Sequence, residues 1–170
     1  MNGAAMTAAT PPRRQGAGGF TLIELLVALA ILGLLATLVI PVSQVTVQRR
    51  QEQELRAALH DIRNAIDAYK RAFDDGRIQK ETGVSGYPKS LDLLAEGVQD
   101  QRNPKHAKMY FLRRVPRDPF NGDANLTASQ TWGKRSYASD ADSPQEGEDV
   151  YDVYSTSDKH GLNDVPYNKW

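Results

Sequence analysis

The stretch GGFTLIELLVALAILGLLATLVIP, residues 18–41, constrains this chain more than any other. From Phe20 to Ile40 every residue is apolar except Thr21, Glu24, Gly33 and Thr37. As an α-helix the run is about 31 Å long, which matches the roughly 30 Å hydrocarbon core of a bilayer. Arg13 and Arg14 lie just upstream and put the N-terminal side in the cytoplasm, so the C-terminal bulk is exported. The mean hydropathy of the 170 residues is −0.54 even with this run included. The remainder is therefore strongly polar, as expected of a hydrophobic stalk joined to a soluble head.

A cleavable secretory signal is the first alternative, and Ala28-Leu29-Ala30 resembles its small-residue cleavage site. The apolar run continues past that point to Ile40, however, and Glu24 interrupts it. A plain single-pass anchor accounts for everything except Glu24. An ionisable side chain within a membrane helix costs a few kcal/mol and is normally paired. The segment offers no cation. Cutting the chain between Gly19 and Phe20 would create one, because the new amine titrates near pH 8. That amine can meet the Glu24 carboxylate of its own chain or of a neighbour, and side-by-side packing of such helices would neutralise both charges in an apolar setting.

Beyond Pro41, Leu55, Leu59, Ile62, Ile66, Tyr69 and Phe73 recur at alternating steps of four and three, one stripe of an amphipathic helix. Asp61, Arg63, Asp67 and Arg71 mix charges on the other face. Asp75-Gly76 supplies the stop, with Gly76 suited to a left-handed cap. Pro41 lacks an amide proton and crowds the carbonyl of Thr37, so it kinks the helix rather than ending it. The whole helix, from Phe20 to about Asp74, would reach roughly 80 Å. His60 has no second histidine at metal spacing and reads as a surface residue.

In the head, GYPKSLDLLAEGV predicts a short helix with Ser90 as its N-cap, Leu91, Leu94 and Ala95 on its apolar face and Gly97 at its end. QDQRNPKHAK reads as a polar loop. Phe111, Leu112 and Val115 are expected inside, with Arg113, Arg114 and Arg117 solvated or paired with acids rather than forming a nucleic-acid patch. Strands are predicted over 131–139 and 149–155, and the acids from Asp140 to Asp149 read as a solvated loop. A small antiparallel sheet laid on the helix stripe gives an α+β head.

GFTLIELLVALAILGLLATLVIP, including Gly19, Phe20, Glu24 and Pro41, resembles the N-terminal segment of type IV pilins and type II secretion pseudopilins. The head elements YPKSLDLLAEG, FLRRVPRDPF and YDVYS, with Trp170 after them, are similar to the major pseudopilin of type II secretion. The chain has no cysteine, so the C-terminal pair common in type IV pilins is missing. The resemblance implies a type IV pilin-like α+β fold. Its long N-terminal helix, membrane-spanning in the first half and amphipathic in the second, packs on a small antiparallel sheet. Residues 1–19 would be a cleaved leader, 20–41 the transmembrane and filament-core helix, 42–75 its amphipathic continuation and 76–170 a periplasmic head.

Prepilin peptidase would cut after Gly19 and Phe20 would be N-methylated. Glu24 would guide each subunit onto a helical homopolymer, and the helix between Gly33 and Pro41 would unwind on assembly. The implied partners are further copies of the chain, minor pseudopilins, prepilin peptidase, the inner-membrane assembly platform with its ATPase, and membrane lipid before assembly; no nucleic acid is expected. The protein would sit as a single pass in the inner membrane, then in a periplasmic pseudopilus driving protein export across the outer membrane. The alternative within the family is a type IV or competence pilus subunit for adhesion, motility or DNA uptake.

Major pseudopilins usually bind calcium in an acidic, glycine-rich loop after the strand matching YDVYS. Here that loop reads TSDKHGLNDVPYNKW. Asp158 and Asp164 are the remaining calcium candidates, but Lys159 and His160 adjoin the first acid and the glycine run is missing. No cofactor is expected, and Pro166 and Trp170 would hold the loop by packing. A membrane-anchored enzyme lacks support: there is no G-x-S-x-G, H-E-x-x-H or phosphate loop, and His60, His106 and His160 are scattered. A lone anchored binding module would retain its function after Glu24→Ala.

Overall fold

The first helix, α1, runs from Leu22 to Asp74 without interruption through Gly33 and Pro41. This is a computed structural model describing residues 19–81 and 83–170; of 37–43 only the helical backbone is described. Arg13, Arg14 and the rest of the expected leader through residue 18 lie outside the described residues, as does the Pro41 side chain. The chain divides into two units, Met1–Ser43 and Gln44–Trp170.

From Leu22 to Ala36, apart from Glu24, α1 is apolar all round. Leu22, Ile23, Leu25, Leu26, Val27, Leu29, Ile31, Leu32, Leu34 and Leu35 are each at least half exposed. Among the described residues no helix is long and apolar enough to cross a membrane. The span expected over 20–41 includes residues 37–41, whose side chains are not described.

In the second unit the alternating four-and-three stripe becomes the core. Leu55, Leu59, Ile62, Ile66 and Tyr69 are buried, Phe73 packs against them, and Ala58, Ala65 and Ala72 fill the gaps. The helix ends in a Schellman motif. The Arg77 N–H donates to the Ala72 carbonyl and the Gly76 N–H to the Phe73 carbonyl, both at 2.9 Å, with Gly76 at φ +69°.

The short helix α2 spans Asp92–Glu96 and closes on Gly97 at φ +78°. Ser90 Oγ accepts the Leu93 N–H at 3.4 Å, and Leu91 and Leu94 are fully buried. The segment expected to be a polar loop contains a small ladder: β1 (Val98–Gln99) pairs antiparallel with β2 (Lys108–Met109). Two residues per strand are too few to leave an alternating pattern in the sequence. The ladder is anchored by Arg77, whose Nη2 donates to Asp100 Oδ2 at 2.6 Å.

The second ladder joins β3 (Trp132–Arg135) to β4 (Asp152–Ser155), antiparallel, with Gly133 opposite Tyr154. Both strands are shorter than predicted. Thr131 belongs to a 3-10 turn over Ser129–Thr131. At the other end the Ser136 N–H turns to the Gln145 carbonyl and the Val150 N–H to the Pro88 carbonyl, so the sheet stops where loops take over its hydrogen bonds. Trp132, Val150 and Val153 cover the α1 stripe in one core, giving the α+β architecture.

Candidate functional site

The N-terminal site is built on the first turn of α1. Gly19, Phe20 and Thr21 precede the helix outside regular structure, and Phe20 is 79% exposed. Thr21 is the N-cap: its Oγ1 accepts the Glu24 N–H at 3.2 Å, and its carbonyl accepts the Leu25 N–H at 3.1 Å. Thr21-Leu22-Ile23-Glu24 has the spacing of a capping box, in which a residue three after the cap is acidic. A carboxylate here also faces the positive end of the helix dipole. Sequence reasoning read Glu24 through its charge alone; the cap pattern was present in the same four residues. Glu24 itself is exposed.

The second region is the loop after β4. Its two calcium candidates, Asp158 and Asp164, are both exposed. Asp164 is left-handed at φ +63°, and its N–H donates to the Gly161 carbonyl at 2.9 Å. The loop closes on itself through Tyr167 N–H to Lys159 O (3.1 Å) and Gly161 N–H to Val165 O (2.9 Å). Val165 O also accepts the Trp170 indole N–H at 3.3 Å, and His160 O accepts Gln48 Nε2 at 3.2 Å. Calcium takes six to eight oxygens at about 2.3–2.6 Å. Here the Lys159, His160, Gly161 and Val165 carbonyls already accept N–H groups, and no three His, Asp or Glu side chains among the described residues gather to hold a metal. The residues present do not fit the ion that the resemblance implies.

Two α1 residues, Gln48 and Glu52, bond to this loop. Glu52 is 7% exposed, and its Oε1 accepts the Leu162 N–H at 2.8 Å, the Tyr167 hydroxyl at 3.0 Å and Gln48 Nε2 at 3.3 Å. Burial pushes the Tyr167 hydroxyl above its usual pKa; the Gln48 amide pulls it down and Glu52 pushes it further up. Tyr167 stacks on Phe120 with ring centroids 4.0 Å apart, and Trp170 meets Tyr167 edge-on at 5.0 Å beneath the Arg56 guanidinium. Pro166 pairs with His160 as a single bridge.

Two further expectations are corrected. Arg63, assigned to the solvated face, bonds Asp152 and the carbonyls of Val153 and Trp170. Asp149, assigned to a solvated acidic loop, accepts the Ser136 hydroxyl at 2.7 Å, the Tyr137 N–H at 2.9 Å and a short bond from the Ser85 hydroxyl. It lies beside a cleft of 970 Å³ floored by Tyr69, Phe73, Tyr87 and Tyr137. Arg117 is exposed, as expected, and donates to the Leu126 and Asp123 carbonyls at 2.7 Å.

Residues 14–40 match the family described as the prokaryotic N-terminal methylation motif. The type II secretion system core protein G of Klebsiella michiganensis is 30% identical over 126 residues, covering 72% of this chain and 81% of that protein. The Pseudomonas aeruginosa protein of the same name is 32% identical over 145 residues, covering 81% of this chain and 92% of that protein. The chain belongs to the type II secretion system core protein G family. Core protein G is the major pseudopilin, so the relatives favour secretion over the pilus alternative. No solved structure matches the chain. The methylation motif spans Gly19, Phe20, Thr21 and Glu24, so the helix cap and the matched segment coincide.

Proposed function

We propose that this core protein G is made as a precursor anchored by a single pass in the inner membrane and is cut by prepilin peptidase between Gly19 and Phe20. Phe20 is then N-methylated, and the mature chain assembles through Glu24 into a periplasmic pseudopilus. The observation that carries this reading is a helix apolar on every side from Leu22 to Leu35 whose only charge is Glu24 in its first turn. A helix of that kind is stable only when surrounded by lipid or by other apolar helices. The bond to be cut lies outside the helix, at exposed Gly19 and Phe20, where backbone free of helical hydrogen bonding can enter a peptidase site.

Lipid tails are as apolar as leucine, so moving the helix from bilayer to filament gains little hydrophobic energy. What differs between the two settings is the carboxylate. Alone in lipid it costs a few kcal/mol. Beside the amine of an adjacent Phe20 it is paired, and that difference selects the docked subunit and fixes its axial register. The chain then works as a non-enzymatic structural subunit. Its work would come from addition of subunits at an assembly platform driven by a cytoplasmic ATPase, with minor pseudopilins as further partners.

Mass spectrometry of the chain recovered from secreting cells tests the first step. The expected product starts at methylated Phe20. An intact leader, or cleavage after Ala30, would overturn the proposal.

A further inference from the structure

The position of Glu52 explains how the loop over 157–170 is fixed to the head. The α1 stripe that buries Leu55, Leu59 and Ile62 continues about two turns toward the N-terminus with polar residues in the same register, Glu52 and Gln48. Both side chains turn toward the loop. Glu52 is buried, and its three partners are neutral donors: the Leu162 N–H, the Tyr167 hydroxyl and the Gln48 amide. A buried carboxylate is costly unless hydrogen bonds compensate it, and bonds to an ionised acceptor are the stronger kind. Gln48 closes the ring: its amide nitrogen, with two protons to share among Glu52, Tyr167 and His160, lies 3.0 Å from the Tyr167 oxygen and 3.2 Å from the His160 carbonyl.

The disagreement between the loop and the expected calcium ion has the same origin. A bound cation would need the loop's oxygens to converge on one point. Instead Lys159, His160, Gly161 and Val165 spend their carbonyls on N–H donors, and the charge that organises the loop arrives from α1 as an anion. An anion orders N–H and O–H groups; a cation orders oxygens. The donor groups found around Glu52 match the first arrangement.

We propose that in this chain Glu52, with Gln48 and Tyr167, fastens the 157–170 loop to α1 in place of a metal ion, so that the head is stable without calcium.

The test uses the full chain in detergent, with thermal unfolding in millimolar calcium and in chelator, and limited proteolysis read by mass. Unfolding temperatures are expected to coincide, because an ion that does not bind the folded state cannot shift its stability. Glu52→Ala is expected to raise the rate of cleavage within 157–166 by about tenfold, the change that loss of about 1.4 kcal/mol of local stability produces. Cleavage elsewhere should not change. Glu52→Gln keeps one carbonyl acceptor and should give a smaller rise, and Tyr167→Phe an intermediate one. If Glu52→Ala unfolds throughout, these two milder variants decide. A rise of several degrees with calcium, calcium protection of the wild-type loop, or variants whose loop is cut at the wild-type rate would overturn the proposal.

Discussion

Arg63 on α1 and Asp152 on β4 form an ion pair across 89 residues of sequence, with Nε donating to Oδ1 at 2.8 Å. The same guanidinium donates through Nη2 to the Val153 carbonyl at 3.1 Å and to a Trp170 main-chain oxygen at 2.9 Å. One side chain thus ties the long helix to the strand and to the loop that follows it. Arg135 approaches the other Asp152 oxygen at 3.5 Å, so the carboxylate is shared.

Arg63→Ala should therefore cost more than a surface pair. The pair is partly solvated, which limits its Coulombic worth, but two carbonyls also lose a charged donor. A loss of about 1–2 kcal/mol is expected, seen as a lower urea midpoint with an unchanged slope. Arg63→Lys should recover only part of it, since an ammonium cannot span three acceptors with a planar fork.

The Asp149 carboxyl makes the head acid-sensitive. Burial pushes its pKa up, but bonds from Ser85, the Tyr137 N–H and Ser136 outweigh this and hold it below the usual range. The unfolded chain then binds this proton more readily than the folded one. The contribution is complete above the ordinary aspartate pKa of about 3.9 and is lost as pH falls through the lower folded value. Asp149→Asn should lower stability at neutral pH by on the order of 1 kcal/mol after allowance for solvent screening. The acid side of the stability–pH curve should flatten, as measured by denaturant titrations from pH 7 to about pH 3.

Gly133 on β3 sits directly beneath the Tyr154 ring of β4. A Cβ at this position would overlap the Cε2 and Cζ atoms of that ring. Gly133→Ala should cost about 1–3 kcal/mol through displacement of the ring. Gly133→Ala combined with Tyr154→Ala should cost less than the sum of the two single changes, a coupling that a double-mutant cycle measures.

Glu24→Gln should leave the leader cut and the head folded while filament yield falls. The Thr21 cap accepts a main-chain N–H, which glutamine also supplies. Mature mass, head unfolding temperature and sedimented filament are the three readouts. Filaments at the wild-type level would remove the carboxylate from the assembly step.

The α1 stripe was legible because helix periodicity is local: a residue's burial follows from neighbours three and four away. Gly76 was legible for a similar reason, since a left-handed cap is a property of one backbone position. The same register extends to Glu52 and Gln48, but both are polar, so the apolar periodicity stops short of them. Asp149 was misplaced. Its sequence neighbours Gly147 and Glu148 are loop-like, and nothing local reveals Ser85 and Ser136 arriving from elsewhere. The two-residue strands β1 and β2 carry too few positions for any periodicity.

The sequence by itself determined the apolar segment with its single acid, the amphipathic continuation and its stop, and the family, because each is written in consecutive residues. Only the tertiary structure decided which charges go inside. Glu52 meets the Leu162 N–H across 110 residues, and Arg63 meets Asp152 across 89. Such partners are chosen by how the head packs on α1. The cost of burying a charge is met only by donors or acceptors that this packing brings within about 3 Å.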